Sequence, residues 1–577
     1  MKRPPPFLLF CWLMMAQFVT IGQLWSQTRV SATLVDAKTM EGLSFAHVVL
    51  KNREGGTITN EAGHFELNCT QGDTLIFSYL GYFSLVLSVD GIKKGSKILL
   101  NPDTQLIEDV VVYADDDYLY EWIAQCRSRL KEANKPSPSK AYLVVETICN
   151  GQPVEFLEAY YNANLGIDGI RDLGFKNGRS YLAPHNYGGY FFNFDFSHSL
   201  SLYSLLEGQG LFPENPLQFG KSKMKKKFRL ERGPNRGTLT TIRFYPRKEE
   251  GELFSGEIIF NREGFVLSDI WLLAPPQGQR VFKAFGDSVL DSLHYSANFH
   301  FTSSTLSHIS IDYKAGMTSR HNLLDSLAER DVKLNIASHA VLHLYDHGYR
   351  FLSPFFDYRA GLNDYRLFVV PPADSSVWSC LRHDNHIRLS PRQDSLKAWL
   401  VANGQPFSDT LGNGKMHFES NYTSWSPTNR LRIKKMNKIV EENGFRRFQA
   451  EEPFLTDRLK LTIQLYLDMN ELHDSLHFTT RTLLDTYQSY NYLDLNEALD
   501  DYVNLYFDIG ELYRRKLDQE LKGVEDITEV KEIYQKVVKE MSAEHLLFEK
   551  EAFGGFDKKA MEKWKKKVDR VLSTNIR

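Results

Sequence analysis

Short runs of alternating apolar and polar residues between positions 29 and 113 constrain the fold more than any other feature of this chain. An apolar residue at every second position is the pattern of a β-strand with one buried face. The clearest alternating positions are Leu75, Phe77 and Tyr79, and then Phe83, Leu85, Leu87 and Val89. Between the runs stand Gly, Asn and Asp, which tolerate the positive φ of tight turns. This combination predicts a small antiparallel β-sandwich.

Two motifs in this segment, TITNEAGHFEL and IFSYLGY, share nine residues with a known domain pattern: Thr57, Thr59, Asn60, Gly63, Phe65, Ser78, Tyr79, Gly81 and Tyr82. They resemble the carboxypeptidase regulatory-like (transthyretin-like) domain of Bacteroidota envelope proteins, and residues 106–112 are similar to its closing strand. Ala32 departs from the pattern, which usually has glycine there. The resemblance implies a transthyretin/Ig-like sandwich over residues 28–114. Such a fold does not specify an activity.

Residues 1–26 have the organisation of a secretion signal. Lys2 and Arg3 precede an apolar stretch at 7–21, and Ser26 is a small residue near a plausible cleavage point. An uncleaved membrane anchor is the alternative, because the apolar stretch nearly reaches spanning length. Cys11 lies inside that stretch, so no lipid anchor is predicted. We therefore expect an exported protein, in the periplasm or associated with the outer membrane.

The rest of the chain predicts an α+β multidomain protein. Residues 115–138 favour a spacer helix that ends before two prolines. Residues 139–347 contain strand-like segments and indicate an antiparallel β domain, either a curved half-barrel similar to periplasmic lipoprotein carriers or a two-sheet sandwich. Residues 348–577 are predicted to be mainly helical, with the strongest helical periodicity around 500–521.

Composition and motifs exclude several classes of function. A net charge of -3 with 24% charged residues argues against a dedicated nucleic-acid binder. Neither G-x-S-x-G nor a P-loop is present, and nothing resembles the zinc ligands of a carboxypeptidase. We therefore expect a protein that is not an enzyme and needs no cofactor. Four cysteines beyond residue 26 leave disulfide pairing open: Cys69, Cys126, Cys149 and Cys380.

Three histidines in SHAVLHLYDHGY, namely His339, His343 and His347, would lie on one face of a helix and suggest zinc. The apolar residues around them alternate, however, which is the pattern of a strand. On a strand His339 and His343 stand roughly 13 Å apart, too far for one ion. We therefore predict no metal site.

A polar stripe on the helix around 500–521 contains the strongest candidate side chains for chemistry: Asp501, Asn504, Asp508, Glu511 and Arg515. Clustered carboxylates can perform acid–base catalysis. An i,i+4 pair between Glu511 and Arg515, with Asp508 in a solvated or inter-helix ion network, explains the stripe more simply. A hydrolase without a recognisable motif remains an alternative.

Two further features suggest surface contacts. The aromatic stretch at 186–196 could stack on sugars through Tyr187, Tyr190, Phe191 and Phe192, although core packing also explains aromatics. Lysine runs at 221–229 and 558–570 could engage anionic lipids, the second as a Lys-rich C-terminal helix in peripheral contact with a membrane.

These observations favour a non-catalytic, exported cell-envelope protein that acts as a binding or scaffolding module. Its expected partners are envelope proteins or surface glycans. A glycan-binding accessory protein of the outer membrane is the alternative. The sequence does not specify the ligand or the oligomeric state.

Overall fold

The computed structural model describes residues 27–51, 56–79, 82–102, 116–133, 136–183, 194–208, 210–235, 239–248, 251–275, 289–302, 304–319, 332–356, 375–384, 387–406, 422–428, 430–431, 459–472, 475–485, 488–491 and 497–574. The chain forms two compact units. Unit one contains residues 1–111 with two short segments, 235–239 and 386–394, and unit two contains the remainder.

Unit one is built from seven strands: β1 (Gln27–Asp36), β2 (His47–Leu50), β3 (Gly56–Ile58), β4 (His64–Thr70), β5 (Thr74–Ser78), β6 (Leu85–Ser88) and β7 (Ser96–Leu100). They form a three-stranded sheet in the order β4-β1-β7 and a four-stranded sheet in the order β3-β2-β5-β6. One apolar cluster, which includes Ala32, Leu34, Phe65 and Phe77, contains buried residues of both sheets. The predicted strand at 106–112 lies outside the described residues.

The family motif forms a turn whose residue types have clear physical roles. The Thr59 hydroxyl accepts a hydrogen bond from the Ala46 amide at 2.9 Å, and the Asn60 side chain accepts from the amides of Ala62 and His64. Gly63 has φ +77°, and a Cβ there would stand 2.4 Å from the Leu34 carbonyl oxygen. Only glycine fits such a position.

Part of a distant segment completes unit one. Arg388 donates to Glu66 at 2.7 Å, and Arg392 contacts Glu61 at 3.1 Å. Asn60 also donates to the Leu389 carbonyl at 3.2 Å. The motif turn is therefore held by residues more than 300 positions away in sequence.

Unit two is organised around one open sheet of eleven strands, in the order β11-β12-β13-β14-β15-β16-β17-β8-β9-β10-β18. Its strands are β8 (Ser137–Cys149), β9 (Gln152–Leu165), β10 (Ile170–Leu182), β11 (Phe228–Arg232), β12 (Leu239–Pro246), β13 (Ser255–Asn261), β14 (Val266–Leu273), β15 (Val289–Thr302), β16 (Thr305–Ser319), β17 (Val332–Tyr345) and β18 (Gln405–Pro406).

The predicted strands of 139–347 are present and antiparallel, and the Asn261–Gly264 turn joins β13 to β14 as a hairpin. The described strands of this region belong to one sheet, so the two-sheet alternative is wrong for them. Strands β8 and β9 form a long antiparallel ladder inside the sheet, because the chain reverses between Cys149 and Gln152.

Three helices accompany this sheet: α1 (Asp117–Ala133), α2 (Phe194–Ser201) and α3 (Lys221–Lys227). Helix α1 forms where a spacer helix was predicted. Its residues Leu119, Ile123, Cys126 and Leu130 are buried in the same apolar cluster as the sheet. The helix is therefore part of the core of unit two and not a spacer.

Helices hold most of the described residues of 348–577, but the region also contains strands that were not predicted. Its helices are α4 (Ser375–Asp384), α5 (Pro391–Asn403), α6 (Glu497–Glu520), α7 (Ile527–Ala552) and α8 (Lys558–Thr574). Besides β18, its strands are β19 (Tyr422–Ser424), β20 (Leu459–Lys460), β21 (Ile463–Leu472), β22 (Ser475–Asp485) and β23 (Tyr490–Asn491). Strands β19, β22 and β21 form a three-stranded sheet, whose Tyr466 and Leu483 enter the large core cluster.

Four cysteines of the described residues are buried: Cys69, Cys126, Cys149 and Cys380. Burial raises the pKa of the Cys149 thiol to about 11. Buried thiols of this kind pack as small apolar side chains.

Candidate functional site

The predicted polar stripe lies on α6, where Asp508 and Glu511 are buried and Asn504 and Arg515 are half-buried. Both guanidinium Nη atoms of Arg430 donate to Asp508, at 2.8 and 2.7 Å, and the indole of Trp425 donates to the same carboxylate at 2.7 Å. Asn504 exchanges hydrogen bonds with the backbone of Leu431. Asp501 is exposed. Asp508 is thus fully engaged as a structural group.

Glu511 is more deeply buried, with 3% of its side chain exposed. The predicted pair with Arg515 is present at 3.0 Å, and Arg514 adds two hydrogen bonds of 2.7 Å. Thr482 of β22 donates to the second oxygen at 2.9 Å. Burial alone would raise the pKa of Glu511, but the hydrogen bonds and charge of Arg514 lower it. An ionised, saturated carboxylate of this kind is a poor general acid.

The aromatic residues proposed to contact glycans, Tyr187, Tyr190, Phe191 and Phe192, lie outside the described residues. The histidine segment forms strand β17, as predicted, and His347 follows in a turn. His339 contacts Asp312 at 2.9 Å, whereas His343 pairs in register with Tyr142 on β8. Across the described residues, no group of three or more metal-ligating side chains converges.

The Lys-rich C-terminal helix is α8. Its apolar residues Trp564 and Val568 are buried against α6 and α7. Lys563 pairs with Glu551 at 3.0 Å, and Lys567 pairs with Glu544. The apolar face of α8 therefore packs against the protein, and the exposed face of α8 carries the lysines.

The lysine run at 221–229 starts as the short helix α3 and continues into strand β11. Lys221 pairs with Glu121 at 2.8 Å, Lys227 with Glu214 at 2.8 Å, and Lys225 with Asp117. These three cations are therefore paired within unit two, whereas Lys223 and Lys226 are exposed.

Sequence reasoning missed a second ionic cluster, which is centred on Glu158 in the middle of β9. In the antiparallel register, Glu158 stands opposite Arg179 of β10 and Val144 of β8. Helices α4 and α5 add one cation each, Arg382 and Lys397. The sheet therefore fixes one carboxylate and one guanidinium, and two helices bring further positive charge to them.

Glu158 accepts five hydrogen bonds. Its Oε2 atom accepts from Arg179 Nε and Nη2, at 2.8 and 2.5 Å, and from Lys397 Nζ at 2.7 Å. Its Oε1 atom accepts from the Tyr142 hydroxyl at 2.7 Å and from Arg382 Nη2 at 3.3 Å. The side chain of Glu158 is 0% exposed, whereas Arg382 is 44% exposed. The cluster thus extends from a buried anion to a cation at the surface.

Three positive charges surround one negative charge in this cluster. Burial alone would raise the pKa of Glu158, but the charges of Arg179, Lys397 and Arg382 lower it to about 2. Burial also lowers the pKa of Lys397, and the neighbouring Arg179 contributes in the same direction. Glu158 is therefore ionised at neutral pH, which makes it a poor general acid and a weak base there.

Aromatic rings and a second ion pair support the cluster. The guanidinium of Arg179 lies 4.0 Å from the centroid of the Trp378 ring, a cation–π contact that fixes its plane. Three residues earlier on β10, Lys176 pairs with Asp468 at 2.5 Å, and both side chains are 1% exposed. Lys176 also donates to the carbonyls of Leu352 and Met469 at 2.8 Å. Strand β10 is thus tied to β21.

A separate cavity of about 680 Å³ lies in unit two beside the turn at 166–170. Arg127, Lys131 and Arg171 line it together with Asp168 and Glu207. Its charges are nearly balanced, and Arg127 donates to the Leu217 carbonyl at 2.8 Å. The Glu158 cluster, with its surplus of cations, is the stronger candidate.

Comparison with known families concerns the N-terminal part of the chain. Residues 30–112 match the model of the CarboxypepD_reg-like domain. The chain carries a domain of this family. Over 95 residues the chain is 34% identical to the TonB-dependent receptor SusC of Bacteroides thetaiotaomicron, which covers 16% of this chain and 9% of that receptor.

Two solved structures also align with this chain. The Pseudomonas aeruginosa MucA/MucB complex is 8% identical, covers 40% of this chain and 94% of the matched chain, and has a TM-score of 0.12. A structure of MucB with MucA(peri) is 10% identical, with 39% and 93% coverage and a TM-score of 0.12. At these TM-scores the likeness carries no argument about fold or function. Among the described helices, none combines the length and apolar character needed to span a membrane.

Proposed function

We propose that this protein is a non-catalytic, exported binding or scaffolding module of the cell envelope, associated with the outer membrane. The CarboxypepD_reg-like domain and the partial similarity to an outer-membrane receptor of a Bacteroidota species support the location. The matched part covers 9% of that receptor, so no activity of the receptor is assigned to this chain. We also propose that unit one is a transthyretin/Ig-like sandwich and that the eleven-stranded sheet curves as a half-barrel.

The observation that carries the proposal is the Glu158 cluster. Its carboxylate is buried, ionised and fully hydrogen-bonded, whereas Arg382 reaches the surface. An acid–base catalyst needs a carboxyl group that exchanges protons near neutral pH. A surplus of oriented cations suits the recognition of an anionic group. The Asp508 and Glu511 carboxylates, each held by arginine, likewise support a structural role over a hydrolytic one.

The partners we propose are envelope proteins or surface glycans, with a peripheral contact to an anionic membrane through the lysines of α8. That contact is electrostatic, because Trp564 and Val568 are buried within the protein. Lysines near the surface of a membrane attract anionic lipids, and this attraction does not require apolar residues to insert.

Fractionation of cells that express the tagged full chain tests the proposal. We expect the protein in the outer-membrane fraction, with envelope components retained on affinity capture from that fraction. The variants D508N and E511Q, which remove the charge from the α6 carboxylates, should retain the same components. Recovery from the cytoplasm, or a hydrolytic activity that D508N or E511Q abolishes, would contradict the proposal.

A further inference from the structure

The geometry of the Glu158 cluster points to a ligand class. We propose that Arg179, Arg382 and Lys397 form a binding site for a phosphate group, carried on a soluble phosphomonoester or on a lipid headgroup. This inference rests on the proposed function, because it names the anion that the binding module recognises.

Charge complementarity favours phosphate over a carboxylate. In the part of the chain that the structure describes, Glu158 is the carboxylate paired with all three cations. Three positive charges and one negative charge leave a surplus of two. A phosphomonoester carries about -1.5 to -2 at neutral pH, whereas a carboxylate carries a single charge. A phosphate group therefore neutralises the cluster, and a carboxylate leaves it half neutralised.

Unused donors point in the same direction. A guanidinium has five N–H donors, and Arg382 uses one of its nitrogens, Nη2, in a hydrogen bond of 3.3 Å. Arg179 uses Nε and Nη2, and Lys397 uses one of its three N–H bonds. The remaining donors meet no acceptor among the described residues. A planar guanidinium fork matches two oxygens of a phosphate at once.

The site is accessible and also rigid. Arg382 is 44% exposed, Arg179 24% and Lys397 16%, so an anion can approach from the Arg382 side. Glu158 and Trp378 hold Arg179 in place. Two residues before Arg179 on β10, the Asn177 side chain is buried and neither of its amide atoms has a hydrogen-bond partner within the described chain. It is a further polar group available beside the cluster.

Calorimetric titration of the purified full chain with inorganic phosphate at pH 7.5 tests the site. We expect saturable binding of one phosphate per chain, and acetate should bind at least about tenfold more weakly because it supplies half the charge. R382Q should weaken phosphate binding about tenfold to a hundredfold, since it removes a charge-assisted donor pair. K397M should weaken it comparably.

The matched control is R229Q. Arg229 lies on β11, at the other edge of the sheet, is 60% exposed and contacts Glu231 at 3.2 Å. The R229Q substitution removes an exposed arginine charge and changes no residue of the Glu158 cluster, so the affinity for phosphate should not change. Thermal melting of R382Q, which alters an exposed side chain, shows whether this variant remains folded.

Sedimentation with vesicles distinguishes the two sources of phosphate. The vesicles contain phosphatidylcholine with or without phosphatidic acid. If R382Q and K397M lower the binding to phosphatidic acid, the phosphate belongs to a lipid headgroup. If they lower inorganic phosphate binding but leave vesicle binding unchanged, it belongs to a soluble phosphomonoester.

The inference is overturned if neither phosphate binding nor phosphatidic acid binding depends on Arg382 and Lys397 in folded variants. In that case outer-membrane fractionation and partner capture can still succeed, and the proposed function stands. Conversely, Arg382-dependent phosphate binding by a protein recovered from the cytoplasm would support the site and reject the envelope role.

Discussion

The ionic clusters of α6 and β9 use the same residue types with opposite charge balance. On α6 the contacts join three carboxylates, Asp508, Glu511 and Asp518, to three guanidinium groups. Around Glu158 they join one carboxylate to three cations. Both central carboxylates, Glu511 and Glu158, are buried and have lowered pKa values. In the α6 cluster the positive and negative charges are equal in number. The Glu158 cluster keeps a surplus of positive charge, which can attract an anionic molecule.

Glu511 and Glu158 are both buried with lowered pKa values, so burial and a shifted pKa of a carboxylate do not by themselves identify a functional site. Structural ion pairs perturb pKa values as strongly as active sites do. The charge that remains after the internal contacts are counted separates the two clusters. The α6 cluster has no surplus charge, so we assign it to the packing of α6 on β22. The Glu158 cluster has a surplus of positive charge, so we infer that it can bind an anion.

The largest expected effect is that of E158Q. Loss of this carboxylate charge leaves Arg179, Arg382 and Lys397 close together without an anion, so we expect the free energy of unfolding to fall by about 4 kcal/mol. Urea unfolding of the full chain, followed by tryptophan fluorescence, measures it. D501N, which changes an exposed carboxylate of α6, is the control and should be neutral. A decrease of less than about 1 kcal/mol in the free energy of unfolding of E158Q would show that the three cations repel one another only weakly.

Acid should remove the same stabilisation gradually. The pKa of Glu158 is about 2 in the folded protein against an ordinary 4.5, so the unfolded chain takes up the proton first. The contribution is complete above pH 4.5 and is lost as the pH falls toward 2. It amounts to roughly 3 kcal/mol. The difference in stability between the native chain and E158Q should therefore shrink over this range, and a constant difference would contradict the pKa.

A smaller loss is expected from E511Q, the matching change in the balanced cluster. Arg514 keeps its contact with Asp518 at 2.5 Å, and a glutamine can still accept from Thr482. We expect a loss of about 2 kcal/mol, in the range for a hydrogen bond to a charged group. The same urea titration compares it with E158Q. An effect as large as that of E158Q would remove the distinction between the clusters.

The smallest effect on stability should come from α8. Lys565 and Lys566 are exposed, so the double variant K565Q/K566Q should leave the melting temperature unchanged. Binding to anionic vesicles should nevertheless weaken, by about 1 kcal/mol for each lysine. The control K563Q changes a lysine already paired with Glu551 and should weaken it less. Equal vesicle binding by all three proteins would reject the membrane contact through this helix.

Local patterns in the sequence predicted a large part of the fold. The alternation at Leu75 and Phe77 and the turn at 261–264 are local signals, and β5 and the β13–β14 hairpin form there. The hairpin of β21 and β22 was not predicted, although Leu465, Leu467 and Met469 also alternate. Helix α1 was predicted, but its packing on the sheet depends on contacts that no local pattern contains.

The candidate site was harder to predict for a physical reason. The cations that contact Glu158 lie 21, 224 and 239 residues further along the chain, and only the fold brings them together. One signal was present: Glu158 lies within the apolar-rich run 154–161 of β9, which is buried, and a buried charge requires a partner. The α6 stripe was visible because Glu511 and Arg515 are four residues apart on one helix.

A crystal structure of the full chain grown with inorganic phosphate tests the central claim most directly. We expect one phosphate hydrogen-bonded to Arg382 and Lys397 beside Glu158. We expect no phosphate at the pair of Asp508 and Arg430, where the charges balance. Phosphate bound at the α6 cluster, or a Glu158 cluster that stays free of it at saturating concentration, would contradict the claim that surplus charge defines the site.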